Sequence, residues 1–99
     1  MTAPEALRAA LPDATLSPVV CEPGHALAAV YGVAYVLFRL PSGEWLASIL
    51  CDDRPQTGAI EPQPEAALAR ARRQWSRMLT ERALADIEPH TLAMLPEHP

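Results

Sequence analysis

"AVYGVAYVLFRLPSGEWLASILCD", residues 29–52, decides the fold of this chain. Its halves are too rich in β-branched and aromatic residues for a helix, and the turn-forming "PSG" separates them. The stretch predicts an antiparallel hairpin. With the turn centred on Ser42 and Gly43, facing residues have numbers summing to about 85, setting Val36 against Ile49 and Phe38 against Ala47. Side chains alternate along a strand, so this register sorts the hairpin into two faces. One is uniformly apolar: Val30, Gly32, Ala34, Val36, Phe38 and Leu40 with Trp45, Ala47, Ile49 and Cys51. Its small residues suit the close approach of a helix. The other collects Tyr31, Val33, Tyr35, Leu37 and Arg39 with Glu44, Leu46, Ser48, Leu50 and Asp52. That second face is charged at its rim but apolar in its middle, unlike the clean alternation of a wetted antiparallel sheet.

Upstream, "LSPVVCEPG" reads as a short edge strand, because Pro18 cannot donate a ladder hydrogen bond. Before it, "TAPEALRAALP" reads as a short helix: Thr2 and Glu5 have capping-box spacing, Pro4 suits the first turn and Pro12 stops it. Downstream, the Pro- and Gly-bearing residues 53–64 read as a connector. A long helix then starts at Pro64 and runs to about Asp86, before Pro89, with Leu68, Ala71, Trp75, Met78 and Leu79 as its buried stripe. Residues 89–99 form a tail with an apolar cluster of Leu92, Met94 and Leu95. The expected fold is thus a single α+β domain over 1–99, a two-layer sandwich in the order α-β-β-β-α, with a three-stranded antiparallel sheet and a long C-terminal helix.

That order resembles the double-stranded-RNA-binding fold in outline. A binder of that kind reads phosphates with a basic start to its second helix, and here the start is the acidic "EPQPEAALA". The net charge of −4 also argues against a general polyanion binder and leaves only a local patch for such a role. Five of the eight basic residues fall in "RARRQWSRMLTER", residues 70–82. On a helix Arg70, Arg73 and Arg77 lie within about 60° of one another, opposite Leu68 and Trp75, and form the candidate partner-binding stripe. Every basic residue is arginine and asparagine is absent, a bias that fits a GC-rich bacterial genome more than selection at a site.

Chemistry is sparsely signalled. Cys21, His25, Cys51, Asp52 and Asp53 have the elements of a metal site but no ligand spacing, and the expected register sets the two sulfurs on the order of 15 Å apart. Neither a metal, a cofactor nor a disulfide is expected. Asp52 and Asp53 point to opposite faces of a strand and so do not converge as an acid–base pair. The histidines are isolated and the glycines scattered. The N-terminal stretch lacks the pattern of an export signal, and no apolar run reaches the ~18 residues of a membrane span, so the expected location is the cytoplasm.

The expected function is therefore binding: a small non-catalytic interaction or regulatory module. It pairs with itself through Tyr31, Val33, Tyr35, Leu37, Leu46 and Leu50 and presents Arg70, Arg73 and Arg77 to an acidic protein partner. Two alternatives use the same residues differently: an RNA- or DNA-binding module on the arginine face, and a small apolar ligand held between sheet and connector.

Overall fold

The computed structural model describes the backbone of residues 1–94 and the side chains of residues 1–85. It is α+β with one antiparallel sheet and a C-terminal helix, but the sheet has five strands where three were expected. The order is α1 (Ala3–Ala10), β1 (Thr15–Glu22), β2 (His25–Val30), β3 (Val33–Arg39), β4 (Trp45–Cys51), β5 (Arg54–Glu61) and α2 (Pro64–Met94). Each strand pairs with its sequence neighbours in a simple meander.

Both extra strands come from tight turns. The run read as one strand over 29–40 breaks at Tyr31 and Gly32, which take φ of 51° and 78° between the paired Val30 and Val33. Asp52 and Asp53, at 52° and 62°, turn the chain between the paired Cys51 and Arg54. Two consecutive left-handed residues are what a two-residue hairpin loop of the right twist requires. The supposed connector of 53–64 is therefore mostly β5. Pro55 is tolerated there because β5 is an edge strand, and the ladder shifts beside it between Ile49 and Leu50.

The register of the central hairpin is also corrected. Tyr35 faces Ile49, Leu37 faces Ala47 and Arg39 faces Trp45, so paired numbers sum to 84. The Gly43 amide donates to the Leu40 carbonyl, the Leu40 amide donates to the Glu44 carbonyl, and Gly43 sits at φ 93°. This is a three-residue loop, Pro41-Ser42-Gly43, with a left-handed glycine closing it. A loop with an odd residue count reverses the parity that a two-residue turn would set. Every β3 side chain consequently lies on the opposite face from the one expected.

Both helices pack on the face that carries Ala26, Ala28, Leu37, Trp45, Ala47, Ile49 and Ala59. Ala3, Ala6, Leu7, Ala67, Leu68 and Ala71 come down from the helices to complete the core. Alanines on both sides of this seam let helix and sheet backbones approach closely, and leucine, isoleucine and tryptophan side chains fill the space between them. α1 starts as its sequence predicts: Thr2 is the N-cap, its Oγ1 accepting from the Glu5 amide at 3.4 Å and donating to Glu5 Oε1 at 2.8 Å.

α2 antiparallels β5. The Thr57 hydroxyl donates to the Ala71 carbonyl at 3.3 Å, and Arg82 donates to Gln56 Oε1 at 3.2 Å. It then outruns the sheet. Residues 76–85 are exposed except for the half-buried Met78, and Leu79, expected in the core, is 45% exposed. The helix continues through Pro89, where an end was expected, and the molecule measures 62 × 25 × 21 Å. Proline removes one amide donor, and on a helix standing in water the carbonyl left over can be hydrated. Of the expected tail, residues 95–99 lie outside those described.

Candidate interaction surfaces

The register correction divides the expected interface set between the two faces of the sheet. Val33, Tyr35 and Leu37 pair with Cys51, Ile49 and Ala47 on the helix-covered face, and Leu37 is fully buried. Leu46 and Leu50 lie on the outer face. Tyr31 belongs to neither, because it occupies the β2–β3 turn at 95% exposure. A left-handed backbone under a bulky exposed side chain is strained.

The outer face has a different membership from the one expected. The residues that alternate with the core positions are Leu27 on β2, Ala34, Val36 and Phe38 on β3, Leu46, Ser48 and Leu50 on β4, and Gly58 and Ile60 on β5. His25 adds an edge-to-face contact with Phe38 at a ring separation of 5.0 Å. From β2 to β5 this face bears no aspartate, glutamate or arginine. Neither helix covers it, and Phe38 and Ile60 are 39% and 48% exposed. Val36, Phe38 and Ile60 were missed because the parity of the turn was misjudged and β5 was read as a loop.

The sheet edges are unsuited to pairing with another strand. β1 departs from its ladder between Leu16 and Cys21, where Ser17 Oγ accepts from the amides of Val19 and Val20. β5 carries Pro55. Bulges and prolines of this kind prevent edge-to-edge association and leave the face as the available surface.

Arg70, Arg73 and Arg77 do come together on exposed turns of α2. With Gln74 and Glu61 they line a shallow polar cleft. Arg70 is tied to Glu61 at 3.2 Å, with both side chains partly in water. Arg73 and Arg77 make no hydrogen bond or ion pair among the described residues. Arg72 and Arg82 turn away from the stripe to the Ala10 carbonyl and to Gln56, the structural roles their helix positions suggest.

Other candidate chemistry stays dispersed. Cys21 and Cys51 are both free, pairing across their ladders with Ala26 and Val33 where Val30 and Ala34 were expected. Among the described residues no three His, Cys, Asp or Glu side chains gather as a metal site. No described helix is long and apolar enough to cross a membrane. Residues 53–64 cannot roof a ligand cavity as a connector, since β5 is hydrogen-bonded to β4. An open cleft does lie where α2 leaves the sheet, lined by Cys51, Asp52, Arg54, Gln56, Trp75 and Arg82. Comparison with family models, curated proteins and solved structures found no match to this chain.

Proposed function

We propose that this chain is a non-catalytic interaction module that pairs with a second copy through the outer sheet face and offers the arginine side of α2 to an acidic protein surface. The observation that carries the reading is the outer face itself, apolar and free of carboxylates and guanidinium groups over the four strands from β2 to β5. At four strands and six residues it spans about 380 Å² by strand spacing and rise, the size of the largest apolar patch on a typical monomer, which is often functional. Without charge it is self-complementary, as an isologous twofold interface must be.

The arginine stripe supports the second half of the reading. Arg73 and Arg77 present open guanidinium groups, and Arg70 already engages a carboxylate in Glu61. That contact is a small example of the pairing expected with a partner. A protein partner is favoured over nucleic acid by the net charge of −4 and by the half-burial of Trp75 on the other side of the helix, away from the stripe.

The test is light scattering on a sizing column, with anisotropy of labelled poly-glutamate peptide and of a duplex RNA measured at two salt concentrations. Expected are a dimer that Leu50→Glu makes monomeric, and peptide binding that weakens with salt and is lost in Arg73→Glu. A monomer at every concentration refutes the pairing. Tighter binding of the duplex than of the peptide refutes the choice of partner.

A further inference from the structure

Along the side of α2 that faces the sheet, exposure rises every two turns: Leu68 is fully buried, Trp75 half-buried and Arg82 exposed. The helix is leaving the sheet there, and a wedge opens beneath it at the turn between β4 and β5. Cys51 and Arg54, paired across the ladder and on the same face as Ile49, form its sheet side. Asp52, Gln56, Trp75 and Arg82 complete the lining. The wedge has a volume of about 500 Å³, within the roughly 300–1,000 Å³ of small-molecule sites.

We propose that this wedge binds a small aromatic anion, with its ring against the Trp75 indole and its carboxylate or phosphate between the Arg54 and Arg82 guanidinium groups. The site lies on the helix side of the sheet and is independent of the pairing proposed above.

Arg82 is positioned by a neutral group. It donates to Gln56 Oε1 at 3.2 Å, and Gln56 Nε2 donates to the Arg54 carbonyl at 3.1 Å, so one amide links the helix to the hairpin end. Gln56 can do this because it is the extra residue of a bulge: Thr57 faces Ile49, Pro55 faces Leu50, and no β4 residue faces Gln56. Bulges re-aim side chains in this way beside functional sites. An amide fixes the guanidinium without cancelling its charge, and the other N–H donors stay open. Arg54 makes no side-chain hydrogen bond or ion pair among the described residues, and Asp52 is within ion-pair distance of neither arginine. Two guanidinium groups against one carboxylate leave the wedge positive in a chain of net charge −4. Paired guanidinium groups with open donors suit the oxygens of a carboxylate or phosphate.

Trp75 supplies the flat surface. Trp45 is closed into the core at 7% exposure, whereas Trp75 keeps part of its ring open and lines the wedge. Its indole N–H has no partner among the described residues and is open to water, since no buried side-chain nitrogen or oxygen there is left unpaired. Trp75 and Arg82 are about 10 Å apart along one side of the helix, and Arg82 reaches back toward its start to meet Gln56. A ring stacked on Trp75 therefore brings a charged substituent to the guanidinium.

The test is a titration of the full chain with naphthoate and with adenosine monophosphate, followed by backbone amide and indole N–H resonances, beside acetate, inorganic phosphate and neutral naphthalenemethanol. Expected are saturable shifts at Trp75 and residues 51–56, with one aromatic anion binding about tenfold tighter than the simple ions or the neutral ring. Naphthoate as the tighter ligand assigns a carboxylate, adenosine monophosphate a phosphate. Arg54→Gln and Arg82→Gln, both at exposed positions, should each weaken binding about tenfold with the melting temperature nearly unchanged. No saturable shift from either aromatic anion up to about 10 mM overturns the site, as does undiminished binding in both variants. Equal binding of naphthalenemethanol overturns the role of the arginines, and equal binding of acetate or inorganic phosphate overturns that of Trp75. Shifts centred on Arg70, Arg73 and Arg77 overturn the wedge as the place where the anion binds.

Discussion

Val36 and Leu37 are adjacent in sequence and point to opposite faces, so truncating each to alanine weighs the register directly. Leu37 is fully buried beneath the helices. Leu37→Ala removes three carbons, about 2.4 kcal/mol at ~0.8 kcal/mol per methylene. The space left behind adds about 1–2 kcal/mol at ~24 cal/mol per Å³, because alanine-rich neighbours collapse poorly. A total near 4 kcal/mol lowers the melting temperature of a domain this size by roughly 16–30 °C. Val36 stands half-exposed on the outer face, and Val36→Ala should cost less than about 1 kcal/mol in the monomer. Thermal and urea unfolding followed by tryptophan fluorescence, with buried Trp45 as reporter, gives both values. The Leu37 loss should be independent of protein concentration, while any Val36 loss should grow at concentrations that favour dimers. A Val36→Ala loss equal to or larger than that of Leu37→Ala, in dilute protein, refutes the register and with it the assignment of the outer face.

Three further substitutions probe local features. Tyr31→Asn keeps the left-handed turn with a residue that tolerates it and should raise stability by about 1 kcal/mol, read as a higher melting temperature; a fall would mean the exposed ring has a partner. Thr2→Ala removes the cap of α1 and should cost about 1 kcal/mol, measured by urea midpoint at unchanged slope. Glu61→Gln breaks the half-exposed pair with Arg70 and should change stability by less than about 0.5 kcal/mol, since water screens it; a loss several times larger would make that ion pair a structural anchor.

The helices were legible because their signals are local. Thr2, Glu5 and Pro4 state where α1 begins, and Pro64 with the Leu68–Ala71 spacing states where α2 begins and which side it buries. The strands were legible as strands wherever β-branched residues ran together. What failed were two turns, one edge and the far half of α2, where the helix runs past Pro89 and leaves Leu79 in water. Tyr31-Gly32 and Asp52-Asp53 lack the asparagine–glycine signature of their turn type, and Tyr31 has strong β character. Pro55 and Gly58 made β5 look like a loop, although an edge strand tolerates the first and the second pairs with Ser48 within the ladder. Parity failed at Gly43, one residue that either sits inside a turn or closes it, and its choice reassigned all of β3. The arginine stripe survived because helical spacing does not depend on register. The membership of the outer sheet face does depend on it, which is why Val36 and Phe38 stand there in place of Tyr35 and Leu37.

A meander in which every strand pairs with its predecessor can assemble hairpin by hairpin as the chain is made, with no long loop to close. The cover arrives last. Until α2 has been synthesised, the nascent sheet has α1 alone to shield its inner side, and Leu37, Ala47 and Ile49 are as open to the cell as the outer face is. Loss of the first turns of α2 would therefore show first during synthesis, as aggregation or degradation of new chains.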